Sequence, residues 1–328
     1  MRLGVDLGGT KIEAVVIDGN GDECWRQRVL TPQGNYDATL GAIAQLVKEG
    51  KRIVGIGPSA VIGIGTPGAE TKDGSMKNCN STALNGRFLR KDLSQLLNCP
   101  VKIANDANCF ALAEAHRGRG RQVGVFKAEG ESTHQCPGVV FGVILGTGVG
   151  GGIVVNGTLL TGPNTIAGEW GHNPMPLKGE ASGSARVERV ERRPCYCGRV
   201  NCVETFLSGP GLALSYQQRF GETLRPEEII TRMRNGEGEG EDKENAGFIW
   251  REYMQQLAVA LAQVVNILDP SLIVLGGGLS MVSEIYQDIA PMMKPHVFTD
   301  EFDTPILPAL LGDSAGVYGA AWLVDEIT

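Results

Sequence analysis

Short apolar runs broken by glycine turns set the pattern of the chain. Leu3-Gly4-Val5-Asp6-Leu7 reads as a strand and Gly8-Gly9-Thr10 as a tight turn. Ile12 to Ile17 reads as a second strand, ended by Asp18-Gly19-Asn20-Gly21. A third short strand around Cys24 to Val29 completes a meander. Tyr36 to Val47 carries apolar side chains at 36, 40, 43, 46 and 47, the spacing of one helix face, and Gly50 is expected to stop that helix. Ile53 to Gly57, Val61 to Ile64 and Val101 to Ala104 read as strands. The last is followed by a helix from Ala107 to His116.

The opening pattern then recurs. Val139 to Leu145 is an apolar, β-branched run, Gly146-Thr147-Gly148-Val149-Gly150-Gly151-Gly152 is a turn, and Ile153 to Val155 leaves it toward the hairpin signal Asn156-Gly157. Strand, glycine turn and strand thus occur twice, roughly 140 residues apart, which a duplicated α/β lobe explains. Gly179 to Arg193 and Asn235 to Asn245 read as solvated loops. Phe248 to Leu268 is a long core-facing helix ended by Asp269-Pro270. Leu272 to Leu275 is a buried strand, Gly276-Gly277-Gly278 follows it, and Leu279 opens another helix. Ala315 to Val324 is a terminal helix expected to pack back on the first lobe. The implied division is 1–117 plus 313–328 for a small lobe and 118–312 for a larger one.

Composition narrows the class. At roughly 100–200 residues per domain, 328 residues suggest two lobes. Thirty Lys and Arg against 37 Asp and Glu give a net charge of −7, which argues against broad nucleic-acid binding. Asp6 interrupts any apolar leader, and no apolar run approaches the roughly 18–20 residues of a membrane helix. The expectation is a cytoplasmic protein with no membrane or nucleic-acid partner. Five of the eight cysteines are scattered, while Cys195, Cys197 and Cys202 lie close together. In a cytosolic chain such a cluster points to metal more than to disulfides.

Each glycine turn can aim several backbone N–H groups into one concavity, where only glycine lets a phosphate approach closely. Thr10 and Thr147 add hydroxyl donors. Asp6, at the end of the first strand, could hold Mg²⁺ through water. A plain hairpin is the alternative, but two such turns at corresponding places favour phosphate. Neither turn runs into a helix, so this is not a Walker or dinucleotide fingerprint. Asn105-Asp106 lies past a strand and opens a helix, where ligands of α/β sheets gather. On spacing alone Asp106 is equally a helix N-cap.

The segments from Asp6-Leu7-Gly8-Gly9-Thr10-Lys11 to the last helix resemble the ROK family of sugar kinases and repressors, and most nearly its bacterial fructokinases. The resemblance implies a two-lobed actin-like (ribonuclease H-like) α/β fold with duplicated glycine-turn hairpins and a zinc knot, with ATP and Mg²⁺ in the cleft. It implies ATP contacts at Gly4, Asp6, Gly8, Gly9, Thr10, Lys11, Gly146, Thr147, Gly148, Gly150, Gly151, Gly276 and Gly277, although the last two could instead serve helix–strand packing. Asp106 becomes the general base for a hexose 6-hydroxyl, and Asn105 binds a neighbouring hydroxyl. Gly168-Glu169-Trp170-Gly171-His172 resembles the family's E-x-G-H motif, and Cys195-Tyr196-Cys197-Gly198-Arg199-Val200-Asn201-Cys202 its C-x-C-G-x-x-G-C motif. Three thiolates and His172 make a closed structural Zn²⁺ site. The alternative is three buried thiols and a core histidine. Asn201 replaces the usual glycine, and asparagine is the least costly substitute if φ is positive there. Glu169, His172 and Glu204 would clamp the sugar, Glu204 being otherwise a surface charge at a helix start. Asn80 is the best candidate in a loop similar to the family's sugar-contacting one, although Asn-rich loops are often plain turns.

The resulting expectation is an ATP-dependent hexose kinase, D-fructose first, with glucose, mannose or N-acetylglucosamine as the alternative acceptors. N-acetylglucosamine is expected to be poor, because its acetamido group needs room beside the 2-position. The family also contains sugar-responsive repressors with a helix-turn-helix ahead of the first glycine turn, whereas only five residues precede Asp6 here. A homodimer is expected from the resemblance.

Overall fold

The computed structural model describes residues 1–79, 81–126, 138–176, 192–235 and 241–325. The strands are β1 (Arg2–Leu7), β2 (Lys11–Ile17), β3 (Glu23–Leu30), β4 (Ile62–Thr66), β5 (Ala69–Glu70), β6 (Met76–Lys77), β7 (Val101–Asn105), β8 (Val139–Leu145), β9 (Val149–Val155), β10 (Thr158–Leu159), β11 (Leu272–Gly276) and β12 (Ile306–Pro308). The helices are α1 (Tyr36–Val54), α2 (Leu89–Leu97), α3 (Asp106–His116), α4 (Arg119–Val123), α5 (Glu204–Leu207), α6 (Gly209–Phe220), α7 (Pro226–Asn235), α8 (Glu241–Leu268), α9 (Glu284–Met293) and α10 (Ala315–Trp322). No described helix is long and apolar enough to cross a membrane.

The duplication is visible in the sheets. One has the order β3-β2-β1-β4-β7 and the other β10-β9-β8-β11-β12. Counted within each half, both run third, second, first, fourth, fifth. In the first, β1 pairs antiparallel with β2, placing Asp6 opposite Glu13, and parallel with β4. A small β5-β6 hairpin stands apart.

Two compact units result. The first comprises Met1–Gly142, Gly152–Gly168 and Ala309–Thr328, and the second Val143–Gly151 and Glu169–Pro308. The first therefore takes in residues that the sequence boundaries at 117/118 and 312/313 assign to the larger lobe. The fully buried Glu114 of α3 is one cause: its Oε1 accepts the backbone N–H groups of Leu310 and Leu311, both at 2.8 Å. In this unit Leu3, Val5, Leu7, Ile12, Ala14 and Val16 pack with Ile43, Leu46 and Val47 of α1 to form one core. The terminal helix α10 settles on β1 and α3, as expected. That approach requires glycine: a Cβ at Gly319 would lie 1.7 Å from the carbonyl oxygen of Cys109.

Several elements differ from their predicted bounds. Helix α1 runs through Gly50 and ends at Val54, with Gly55 left-handed at φ 76°. Gly50 stays in the helix because the Trp25 ring lies over it, 2.7 Å from where a Cβ would be. The run from Ile53 is thus the helix end and a loop, not a strand. Strand β9 begins at Val149, ahead of Ile153, and α8 begins at Glu241, ahead of Phe248. After β11 a short 3₁₀ turn, Gly278–Met281, precedes α9. Of the loop predicted over Gly179 to Arg193, all but Arg192 and Arg193 lies outside the described residues, and of Asn235 to Asn245, residues 236–240 do, whereas Asn235 ends α7 and Glu241 to Asn245 are the first turn of α8 rather than loop.

Two alanine substitutions separate these glycine roles. Gly319→Ala is expected to cost about 3 kcal/mol or more, through overpacking against backbone. Gly41→Ala, exposed inside α1 with nothing within 4 Å of the added Cβ, is expected to gain up to about 1 kcal/mol. Urea unfolding midpoints measure both, and equal midpoints for the two variants would contradict this packing.

Candidate active site

In the first unit the β1–β2 turn turns its carbonyls inward. Gly8 N donates to Lys11 O, Thr31 Oγ1 donates to Gly8 O (2.8 Å), and Thr31 N donates to Thr10 O (3.0 Å). Gly9 and Thr10 are exposed at its tip. A turn bonded this way presents its N–H edge to an anion. Beside it lies a cavity of about 380 Å³ lined by Gly9, Thr31, Gln33, Ser81 and Leu84, among others. Lys11, the first residue of β2, is partly buried and acts electrostatically on Asp6.

Asp6 ends β1 against the start of α10, where a Cβ at Gly316 would lie 2.8 Å from its Oδ2. Burial first, and then the charges of Asp106 and Glu13, push its carboxyl up to about 6. The two carboxylates singled out in the sequence therefore feel each other within one unit. Glu13 itself is held below the usual carboxylate range: burial works the other way, but hydrogen bonds from Arg26 and Arg28 prevail.

Asp106 is the first residue of α3. The N-cap is Asn105, whose Oδ1 accepts Asn108 N at 2.8 Å. Asp106 presents an accessible carboxylate, yet the protein crowded around it holds its pKa above the ordinary value, against the pull of the Ala107 N–H at 2.8 Å. A raised carboxylate pKa suits proton acceptance.

In the second unit His172, Cys195, Cys197 and Cys202 converge, with their ligand atoms all within 4.8 Å of one another. The local fold explains this. Pro174 bridges to Cys202 and Pro194 to Val200, Met175 N donates to Asn201 O, and Val203 N donates to Asn173 O. Asn201 takes φ 56°, the left-handed geometry that suits asparagine in place of glycine. Cys197 and Cys202 Sγ are 3.6 Å apart, and Cys195 Sγ is 3.5 Å from His172 Nδ1. Tetrahedral coordination of Zn²⁺ by these donors requires separations of about 3.8 and about 3.6 Å. The charges agree with this geometry. Burial raises Cys195 and pushes Cys202 up to about 12, whereas at Cys197 hydrogen bonds from Arg199 and the other thiols overcome burial and bring it down to about 6. The donors fit a structural Zn²⁺ site.

The second glycine turn closes through Gly146 N to Gly148 O at 2.9 Å, with Thr147 exposed at its tip and Gly150 and Gly151 already inside β9. Glu204, the first residue of α5, reaches it: its Oε2 accepts Val149 N at 3.0 Å. Glu169 is exposed and caps the short turn Trp170–His172. Tyr196, between the first two cysteines, was not singled out in the sequence. His172 Nε2 and the Tyr196 hydroxyl lie within hydrogen-bond distance, 2.9 Å, and with Nδ1 on a metal Nε2 would carry the proton and donate. The Tyr196 phenol is pushed up to about 12 by burial and then by Glu204 and Glu169, so both carboxylates lie within electrostatic reach of it.

Other candidates are placed differently. Gly4 faces α10, where a Cβ would lie 2.2 Å from Ala321 N. Gly276 is the last residue of β11, and a Cβ on Gly277, at φ 86°, would stand 2.5 Å from the carbonyl oxygen of Leu145, so the position serves close packing. Asn80 lies outside the described residues. The buried Arg193 was also missed. It stacks on Phe206 and donates to Thr205 O and Gln218, tying the cysteine segment to α5 and α6.

Asp6 offers a direct test of the electrostatics. Its folded pKa lies above its unfolded value, so the native chain loses stability as pH rises from about 4 to about 6. Without nucleotide, Asp6→Asn is expected to match the parent near pH 4 and to exceed it by about 3 kcal/mol at pH 7.5. Denaturant unfolding at both values measures the difference, and a less stable variant at pH 7.5 would contradict the assignment.

Comparison with known proteins agrees with this geometry. The model of the ROK family matches residues 2–327. An N-acetyl-D-glucosamine kinase of Pectobacterium atrosepticum is 41% identical over 325 residues, covering 98% of both chains. Among solved structures, a ROK hexokinase from Thermus thermophilus aligns with a TM-score of 0.79 at 26% identity, over 98% of this chain and 96% of its own. A ROK family glucokinase from Streptomyces griseus, solved with glucose and AMPPNP, aligns with a TM-score of 0.67 at 26% identity over 98% of each chain. With the family model matched from end to end and a relative 41% identical over 98% of both chains, the chain belongs to the ROK family.

Proposed function

We propose that the protein transfers the γ-phosphoryl group of ATP to the 6-hydroxyl of a hexose, and that the preferred hexose is N-acetyl-D-glucosamine. The near full-length similarity to N-acetyl-D-glucosamine kinases carries the choice of sugar. It displaces D-fructose, for which the side chains supplied no separate physical argument.

Asp106 accepts the proton of the 6-hydroxyl as that oxygen attacks phosphorus. Asn105 offers its amide to a neighbouring hydroxyl. Glu169 and Glu204 accept hydrogen bonds from sugar hydroxyls, and His172 holds the same segment in register. The N–H edges of the two glycine turns and the Thr10 and Thr147 hydroxyls receive phosphate oxygens. Asp6 would hold Mg²⁺, and the cation would offset the cost of ionising that buried carboxylate. Phosphoryl transfer relies mainly on such positioning and charge compensation. Cys195, Cys197, Cys202 and His172 would hold a structural Zn²⁺, which supplies rigidity to the segments bearing Glu169 and Glu204.

A coupled assay of ADP release over N-acetylglucosamine, glucose, mannose and fructose tests this. N-acetylglucosamine is expected to lead in kcat/KM by at least about 10-fold. A lead for fructose or glucose would keep the kinase and change its acceptor, and no turnover on any of the four would remove the kinase reading. Asp106→Asn should lose at least about 10²-fold in kcat while sugar binding persists, and near-normal turnover would exclude Asp106 as the base.

A further inference from the structure

The second glycine turn and the acceptor-clamp segments are fastened to each other at several points. Val149 N donates to Glu204 Oε2 at 3.0 Å, and Gly209 N, at the start of α6, donates to Gly146 O at 2.8 Å. Trp170 Nε1, next to Glu169, donates to Gly150 O at 2.9 Å. The fit around Glu204 is tight, since a Cβ on Gly148 would stand 2.6 Å from its Oε2. Its other oxygen, Oε1, is 3.9 Å from Cys195 Sγ, on the side of the thiol cluster. One carboxylate thus has one oxygen on the glycine turn, and the other accepts from the Cys195 thiol at the edge of the cluster that holds His172.

We propose that Glu204 is a positioning residue that couples the two ligands, so that a hexose on this carboxylate tightens the binding of the nucleotide. The inference rests on the kinase reading above. A hydroxyl donating to Oε1 fixes the carboxylate in one orientation, and Oε2 then holds the Val149 N–H and the preceding turn in place. The nucleotide meets a turn whose ordering cost the sugar has already met, which is positive cooperativity by pre-organisation. Linkage makes the effect reciprocal: the nucleotide must tighten sugar binding by the same factor.

Calorimetric titration with Mg²⁺-AMPPNP, with and without saturating N-acetylglucosamine, reads the coupling with no turnover. The wild-type Kd for AMPPNP is expected to fall at least about fivefold when the sugar is present. In Glu204→Ala the factor should fall below about twofold. Glu204→Gln keeps a carbonyl oxygen for Val149 N–H, so it should retain most of the coupling even with weakened sugar affinity. Gly148→Ala should abolish the coupling while leaving the Glu204 charge in place. It also serves as the test should Glu204→Ala fail to fold. Wild-type protein that binds both ligands without coupling overturns this inference and leaves the kinase reading intact. Coupling that persists in Glu204→Ala or Gly148→Ala, or that is lost in Glu204→Gln, also overturns it. Wild-type protein that binds no sugar removes the kinase reading and this inference together.

Discussion

Three thiols and an imidazole gathered within 4.8 Å of one another cannot all be ionised or coordinating unless a cation lies among them. The second unit depends on this constraint. The cluster joins Trp170–His172 to the turn from Cys195 to Arg199 and the start of α5, which are distant from it in sequence. Glu169 directly precedes the first of these segments, and Glu204 opens α5 and accepts Val149 N beside the glycine turn at Gly146–Gly148. The chain supports the cluster from outside, through Tyr196 on the free face of His172 and Arg193 on Phe206.

The first unit presents the complementary difficulty. Asp6 and Asp106 are like charges in crowded surroundings, and each carboxyl is held above its ordinary pKa. A core designed for stability alone would not place them so. The arrangement suits a site that receives a divalent cation and a proton, where the charge left uncompensated in the empty protein is matched by the ligands.

What could be read from the sequence was local. Glycine turns, β-branched runs and Asp-Pro stops act over a few residues, so the repeated hairpins, the terminal helix and the left-handed Asn201 were legible. The readings that failed depended on distant partners. Gly50 looked like a helix end because the Trp25 ring that covers it comes from β3, outside the helix. Gly4 and Gly277 also pack closely against the backbones of α10 and Leu145, and such partners are invisible to spacing. The extent of the compact units was hidden for the same reason, since it depends on Glu114 holding the backbone of Leu310 and Leu311. The residues of the candidate site were recognisable by type and motif, but the bonds from Tyr196 to His172 and from Glu204 to Val149 were not. The acceptor sugar was not legible either, because no side-chain pattern in the sequence separates one hexose from another.

The metal knot is the claim on which the acceptor clamp depends, and X-ray absorption at the zinc edge on the purified full chain tests it most directly. The expected result is about one zinc per chain, with three sulfur neighbours at about 2.3 Å and one nitrogen at about 2.0–2.1 Å. Zinc-free protein that still binds N-acetylglucosamine at full affinity, or zinc in an all-oxygen and nitrogen shell, would contradict it.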